Sequence, residues 1–214
     1  MKIGMLGSGD VGRALGTGFV GRGHEVKMGS RSPGSAKVRD WVEASGDGAS
    51  GGTFEEAAAF GDLLVLATAW SGTENAIRLA KPENCTGKIL IDATNPLLFE
   101  PNRPPRLALG HTDSGGEQVQ SWVPETRVVK AFNIVGSVHM VDPDFPGGPP
   151  DMLICGNDAE AKATVTELLE EFGWPVTDIG GIDGARYLEP FAMVLDHLRG
   201  PVRFPGPRFK LLRK

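Results

Sequence analysis

The feature that most constrains this chain is a glycine-rich turn close to its N-terminus. The turn Gly7-Ser8-Gly9-Asp10-Val11-Gly12 has the spacing GxGxxG and directly follows the short apolar run Lys2 to Leu6. Small and apolar residues then recur at helical spacing from Asp10 to Arg22, and Gly23 supplies a stop. A strand, a tight turn and an amphipathic helix in this order are typical of the first βα unit of a dinucleotide-binding fold.

Each glycine of the turn has a separate expected task. Gly7 permits the tight turn, Gly9 lets the backbone approach a pyrophosphate, and Gly12 allows close packing of helix on strand. Free amides at the start of the helix are then expected to face the phosphates. The alternative is a glycine-rich turn that holds no ligand, but the second strand that follows the helix favours the dinucleotide interpretation.

Apolar runs and helical segments alternate through the first two thirds of the sequence. Capping-box pairs occur at Thr53 with Glu56 and at Ser114 with Glu117. Strands separated by helices of this length predict right-handed crossovers and an α/β fold with a Rossmann-like, parallel, doubly wound sheet. The predicted strands are His24 to Met28, Asp62 to Ala67, Lys88 to Asp92 and Arg127 to Phe132, and the predicted helices are Ser35 to Ala44, Phe54 to Phe60 and Thr73 to Lys81.

A Pro/Gly-rich stretch, Pro143 to Pro150, is the best internal seam. We therefore expect a dinucleotide-binding domain at residues 1–142 and a small C-terminal α/β lobe at 151–214. The lobe's predicted elements are the strands Asp151 to Cys155 and Pro175 to Ile179 and the helices Ala159 to Phe172 and Gly184 to Leu198. In the last helix Leu188, Phe191, Ala192 and Leu195 form one apolar stripe, while the prolines of the tail exclude a long helix there.

The residues after the second strand indicate which dinucleotide is bound. An NAD site places Asp or Glu there to bind the ribose 2′-hydroxyl. This chain has Gly29-Ser30-Arg31-Ser32, in which a hydroxyl beside a guanidinium suits a 2′-phosphate. Lys37, early in the next helix, is a candidate for further positive charge, and NADP is the predicted cofactor. The alternative for Arg31 is an ordinary solvated side chain.

Two other strand ends are expected at the same edge, where an open sheet binds its ligand. Thr68-Ala69-Trp70 offers small residues that let a cofactor come close, and Trp70 is a candidate cover or, equally, core filler. Asn95 is held extended by Pro96 and is a candidate site residue or a turn residue.

No side chain is predicted to be an indispensable catalytic group. Lys130 is a candidate proton donor near a strand end, where a lysine is more often a solvated or sheet-edge charge, and His139 is a candidate substrate contact or an exposed loop residue. The only tyrosine, Tyr187, has no lysine four residues later, so the Tyr/Lys pair of short-chain dehydrogenases is missing. No histidine pair has metal-ligand spacing, and no metal site is expected.

Composition excludes several other classes of protein. A net charge of −5 argues against a general nucleic-acid surface. No apolar run approaches the roughly 20 residues of a membrane-spanning helix, and the N-terminus has no signal-peptide pattern, so we expect a cytoplasmic protein. Cys85 and Cys155 do not form a CxxC pair and are expected to be small buried hydrophobes.

Taken together, these motifs resemble the F420-dependent NADP reductase family. The resemblance covers essentially the whole chain in order. It is carried by GSGDVG at 7–12, Gly29-Ser30-Arg31, LATAW at 66–70, VVKAFN at 128–133, ICGND at 154–158 and FKLL at 209–212.

The resemblance implies an NADPH-binding Rossmann protein whose C-terminal lobe helps to hold an 8-hydroxy-5-deazaflavin. It implies that Ser8 to Val11 hold the pyrophosphate, that Ser30 and Arg31 hold the 2′-phosphate, and that Trp70 and Ala131 border the nicotinamide. We expect hydride transfer between NADP(H) and F420 or a flavin-like acceptor, in a homodimer. An imine or pyrroline-5-carboxylate reductase, which usually has a longer helical C-terminal domain, and a non-catalytic NADPH-sensing module are the alternatives.

Overall fold

A computed structural model describes residues 1–101, 103–198 and 209–211, and its centre is one eight-stranded sheet. The strands are β1 (Lys2–Leu6), β2 (Glu25–Gly29), β3 (Ala49–Gly52), β4 (Leu63–Leu66), β5 (Ile89–Asp92), β6 (Leu97–Leu98), β7 (Arg106–Leu107), β8 (Arg127–Lys130), β9 (Met152–Gly156) and β10 (Val176–Asp178). The sheet order is β10-β9-β8-β5-β4-β1-β2-β3, and β6 and β7 form a separate antiparallel hairpin.

Seven helices are described, and their bounds lie within one or two residues of those predicted wherever a helix was expected. They are α1 (Asp10–Gly21), α2 (Ala36–Ser45), α3 (Phe54–Phe60), α4 (Thr73–Ala80), α5 (Gly115–Trp122), α6 (Ala159–Glu171) and α7 (Ala185–Leu198). None of these helices combines the length and the apolar composition needed to cross a bilayer.

The predicted Rossmann-like fold is confirmed. The six strands β3-β2-β1-β4-β5-β8 are all parallel and have the order of a doubly wound dinucleotide-binding sheet. The chain winds outward from β1 through β2 to β3 and then returns to the other side at β4. The carboxyl ends of β1 and β4 therefore border the crevice where such sheets bind ligands.

Local sequence signals explain several of the helix boundaries. The Thr53 and Glu56 capping box is complete, because Thr53 Oγ1 accepts from the Glu56 amide and the Glu56 carboxylate accepts from the Thr53 amide. The second box is half formed. Ser114 Oγ accepts from the Glu117 amide, but the Glu117 carboxylate accepts from the Ser114 hydroxyl and from Arg186 rather than from the Ser114 amide.

Three features differ from the pattern expected from sequence. β3 was not predicted, because its sequence Ala-Ser-Gly-Gly has no apolar alternation. It contains glycine because α2 lies close: a Cβ on Gly51 would be 2.5 Å from Val38 Cγ1. The β6–β7 hairpin was also not predicted, and β9 pairs antiparallel with β8, so the sheet is mostly rather than wholly parallel.

The C-terminal elements continue the first sheet and pack on the first helix. β9 and β10 extend the sheet beyond β8, and the ring of Phe172 lies 4.7 Å from that of Phe19 in α1. In α7, Leu188 and Ala192 of the predicted stripe are buried and Phe191 is half-buried, while the side chain of Leu195 lies outside the described part of the chain. The division into domains at residues 142 and 151 stays a prediction.

Candidate functional site

The glycine turn between β1 and α1 leaves a helix N-terminus open toward the sheet edge. Gly7 has φ +138°, and a Cβ on Gly12 would overlap the carbonyl oxygen of Gly7, so both positions require glycine. A Cβ on Gly9 would meet nothing within 4 Å. Gly9 is the N-cap of α1 and makes no side-chain cap, so the first amides of this helix are available to an anion.

The exit of β2 lies beside this turn. Ser8 Oγ donates to Ser30 Oγ at 3.4 Å, and Ser30 Oγ also accepts from the Ser32 amide at 3.2 Å, which joins the two turns. Arg31 and Lys37 are exposed, and neither forms an ion pair with a residue that the structure describes. Two exposed cations and a hydroxyl thus follow β2, whose exit is joined to the turn before α1 by the hydrogen bond between Ser8 and Ser30, and residues 29–32 contain no carboxylate.

The exit of β4 presents the Thr68 to Trp70 segment. The hydroxyls of Thr68 and Thr73 are 2.9 Å apart, and Thr73 donates to the carbonyl of Ala69, which fixes the turn into α4. Trp70 is half-buried and stacks on Trp122, with ring centroids 5.6 Å apart and an interplanar angle of 28°. Trp70 therefore has one face packed on the protein while the residue keeps some exposure at the sheet edge.

The exits of β5 and β8 are joined by a pair of asparagines. Asn95 Nδ2 donates to the Asn133 carbonyl at 2.7 Å, and Asn133 Nδ2 donates to Asn95 Oδ1 at 3.0 Å and to the Leu188 carbonyl at 3.1 Å. Asn95 thus helps to join the segments that follow β5 and β8, and its contact with a cofactor stays a prediction. Ala131 directly follows β8 and is fully buried, its backbone included.

Lys130 is neither the solvated charge nor the sheet-edge device that its position in the sequence favoured. It is fully buried, and its Nζ donates to Asp92 Oδ2 at 2.8 Å and to the Thr94 carbonyl at 3.0 Å. Glu189 Oε1 is a third partner at 2.9 Å. Burial lowers the pKa of this ammonium, but the charges and hydrogen bonds of Asp92 and Glu189 outweigh burial, and the pKa lies above the usual lysine value.

Asp92 and Glu189 were not recognised from the sequence. The parallel register places Asp92 opposite Lys130, so a carboxylate and a lysine ending two adjacent strands were the available signal. Glu189 lies four residues after Ala185 and three before Ala192, both of them buried, so its place on the apolar face of α7 was the available signal. It is buried although glutamate is usually exposed.

An apolar cavity of about 240 Å³ lies at the same edge and was not expected. β9 runs antiparallel to β8 with Cys155 opposite Lys130, so the residues before β9 lie beyond the carboxyl end of β8. The described tail residues close one side: Asp151 N donates to the Phe209 carbonyl, and Leu211 N donates to Asp151 Oδ2. The main apolar lining residues are Ile134, Val135, Leu153, Trp174, Phe191 and Phe209.

His139 lies in a short 3-10 helix, Ser137–His139, which follows Asn133 in the chain. Its ring packs near Phe145, with centroids 4.8 Å apart. The two cysteines are buried free thiols as expected, and burial raises the pKa of Cys85 to about 11 and that of Cys155 to about 12.

Comparison with known proteins gives a consistent picture. Residues 2–96 match the family described as NADP oxidoreductase coenzyme F420-dependent. The chain is 31% identical to the F420-dependent NADP reductase of Methanocaldococcus jannaschii, over 91% of each protein. It superimposes with a TM-score of 0.93 and 37% identity, over the full length of both chains, on an Arthrobacter sp. FB24 structure described as a candidate F420-dependent NADP-reductase.

Two further similarities extend over only part of the other protein. The chain is 34% identical to the metalloreductase STEAP3 of Rattus norvegicus over 91% of its own length, but it spans only 37% of that protein. An imine reductase from Streptomyces aurantiacus has a TM-score of 0.65 and 18% identity, and 62% of that chain is covered. This last similarity shows a shared fold alone.

Proposed function

This chain belongs to the F420-dependent NADP reductase family of NADP-dependent oxidoreductases, and we propose that it transfers a hydride between NADP(H) and F420 or a flavin-like acceptor. The observation that carries the proposal is the alignment of three features along one sheet edge. An open helix N-terminus and a cationic strand exit lie at one end, and an apolar cavity lies at the other.

The residues present fit NADP. The uncapped start of α1 and the open space at Gly9 suit a pyrophosphate, with Ser8 to Val11 supplying the surrounding backbone. Ser30, Arg31 and Lys37 would hold the 2′-phosphate, because an exposed guanidinium offers charge-assisted, planar hydrogen bonding. Nothing at residues 29–32 supplies the carboxylate that an NAD site uses for the ribose hydroxyl.

Thr68, Ala69, Trp70, Asn95 and Ala131 would border the nicotinamide. These residues follow the carboxyl ends of β4, β5 and β8, three neighbouring strands of the sheet. The hydrogen bonds of Thr68 with Thr73 and of Asn95 with Asn133 hold the segments after the strands in place. These segments can therefore orient a ring and exclude water from one side of it. The bound nicotinamide supplies the hydride, and the protein's contribution is placement.

The acceptor would occupy the apolar cavity beside the exit of β8. Its lining of Trp174, Phe191 and Phe209 suits a flat ring system, and aromatic side chains pack well against such rings. Lys130 does not serve as a proton donor there, because all three of its N–H groups have buried acceptors. Transfer between two ring cofactors needs chiefly orientation, whereas reduction of a carbonyl needs a positioned acid.

The test is to mix the purified protein with NADPH and separately with F420, FMN, FAD and a cyclic imine, and to follow NADPH consumption. We expect turnover with F420 or with one of the flavins, and much weaker use of NADH. Reduction of the imine alone would instead support the imine reductase alternative. NADPH binding without turnover on any of the four would support a sensing module.

We also propose that the protein is a cytoplasmic homodimer. Two buried free thiols fit a reducing compartment. Phe99, Tyr187 and Val194 are large exposed hydrophobic side chains, two of them on α7, and such residues are common in subunit contacts. Light scattering coupled to size-exclusion chromatography measures the mass directly, and a monomeric mass would contradict the dimer.

A further inference from the structure

Three charged side chains are buried together beneath the carboxyl edge of the sheet, and the proposed hydride transfer uses none of them. Asp92 ends β5, Lys130 ends β8, and Glu189 comes from α7. All three are at most about 1% exposed. Buried charges cost folding energy unless they are closely paired, and removing one partner is worse than having none. The folding cost of this cluster therefore raises the question of which neighbouring segments it holds in place.

Glu189 occupies the N-terminus of α5. Its two carboxylate oxygens accept from the amides of Gly115 at 2.9 Å and Gly116 at 3.0 Å. A helix N-terminus attracts an anion, and here the anion is part of the chain. This end of α5 touches the candidate nicotinamide edge, because a Cβ on Gly115 would lie 3.2 Å from the Trp70 ring and 3.3 Å from Pro96.

The other two charges fix the segment that follows β5. Asp92 Oδ1 accepts from the Thr94 amide at 2.9 Å and from the Thr94 hydroxyl at 2.7 Å. Lys130 Nζ donates to the Thr94 carbonyl at 3.0 Å. Every polar group of Thr94 is thus held by the cluster, and Asn95 follows directly.

A second connection from α7 reaches the segment that follows β8. The Leu188 carbonyl accepts from Asn133 Nδ2, and Asn133 is paired in turn with Asn95. Leu188 and Glu189 are consecutive, so one turn of α7 holds both strand exits and the start of α5. Displacing this turn would displace all three elements at the candidate nicotinamide edge together.

We propose that Glu189 is a positioning residue for hydride transfer: it ties α7 to Lys130 and to the N-terminus of α5 and so sets the nicotinamide edge. This inference rests on the proposed function. By filling the anion site of α5, Glu189 also keeps that helix N-terminus from competing for the pyrophosphate, while the N-terminus of α1 stays open. Its effect should fall on the nicotinamide half of the cofactor and spare the adenosine half, which binds at α1 and the exit of β2.

The test compares Glu189→Gln with Glu117→Gln. Both substitutions remove one carboxylate from the contact between α5 and α7, but Glu117 pairs with Arg186 and does not touch Lys130. For each variant we would measure the Kd of adenosine 2′,5′-bisphosphate and the melting temperature. We would also measure the single-turnover rate of hydride transfer from NADPH to the acceptor that the wild type reduces, and the deuterium isotope effect on that rate. The bisphosphate probes only the adenosine half of the site.

For Glu189→Gln we expect the rate to fall about 10- to 100-fold, the size of a small misplacement of reacting groups, with an altered isotope effect and unchanged bisphosphate affinity. Glu117→Gln should keep the wild-type rate even if its melting temperature falls as far as that of Glu189→Gln. Asn133→Ala, which cuts the second connection without changing a charge, should also lower the rate selectively. It decides the question if Glu189→Gln does not fold.

Two results would overturn the inference. One is a wild-type rate in folded Glu189→Gln, or in Asn133→Ala if the first variant does not fold. The other is a parallel loss of rate and of bisphosphate affinity. A wild-type protein that binds NADPH but reduces only an imine refutes the proposed acceptor, while the Glu189 comparison still decides the positioning role. A wild type that does not bind NADPH refutes both.

Discussion

Replacing Gly9 with Asp should preserve or slightly strengthen the fold and greatly weaken cofactor binding. Gly9 is the N-cap of α1 with φ −76° and ψ −172°, an extended conformation that aspartate adopts readily at this position. A Cβ added at Gly9 would meet no atom within 4 Å. A carboxylate at a helix N-terminus contributes about 0.3–1 kcal/mol through the helix dipole, so the melting temperature should stay level or rise.

The same carboxylate would occupy the place proposed for the pyrophosphate. Two unit charges about 4 Å apart near a protein surface repel by roughly 4 kcal/mol. Salt weakens this repulsion at an exposed residue such as Gly9. We therefore expect NADPH affinity to fall by at least about 100-fold, or roughly 2.7 kcal/mol.

Calorimetric titration with NADPH and a thermal melt measure the two effects separately. Gly9→Asn is the matched control, because asparagine is an equally good N-cap of the same size without the charge. It should lose less affinity than Gly9→Asp. Gly12→Ala should behave in the opposite way and lose stability, since its Cβ would overlap the Gly7 carbonyl oxygen. A Gly9→Asp protein that binds NADPH like the wild type would refute the assignment of this turn to the pyrophosphate.

Three further outcomes are expected. Arg31→Ala should cost about 1.5–3 kcal/mol of NADPH affinity, the range for a hydrogen bond to a charged group, and calorimetry showing equal wild-type affinity for NADPH and NADH would contradict it. Lys130→Met should destabilise the protein by roughly 3–5 kcal/mol, because two carboxylates stay buried. Because folding raises the pKa of Lys130, its contribution to stability is complete below the unfolded value of about 10.4 and is lost as pH rises through the higher folded value. Denaturant unfolding of variant and wild type across alkaline pH tests this. A difference in stability between them that does not change with pH would count against it. Phe209→Ala, which opens the apolar cavity, should slow acceptor turnover and leave the Kd of NADPH unchanged, whereas a weaker Kd would argue that Phe209 supports the first ligand.

Local sequence was sufficient for the features that depend on neighbouring residues. The spacing of Gly7, Gly9 and Gly12 predicted the first βα unit, because the geometry of this turn is largely local: Gly7 has φ +138°, and a Cβ on Gly12 would overlap the Gly7 carbonyl oxygen. The Thr53 and Glu56 box located the start of α3 for the same reason. The absence of a carboxylate after β2 also indicated NADP before any tertiary contact was known.

Features that depend on contacts distant in the chain were decided only by the tertiary structure. β3 is a strand because β2 offers it a free edge, although its own residues have little strand propensity. The antiparallel direction of β9 places Asp151 and the Phe209 segment beside the exit of β8 and so creates the apolar cavity.

Lys130 shows the physical reason most clearly. In sequence it is a charge at a strand end, for which solvent is the usual surrounding. In the fold it is surrounded by Asp92, from 38 residues earlier in the chain, and by Glu189 from α7. Whether a charge is solvated or buried depends on what covers it, and here the covering helix comes from the far end of the described chain. The sequence by itself therefore determined the fold class and predicted the cofactor half of the site, and packing between distant segments decided how the neighbouring strand exits are held.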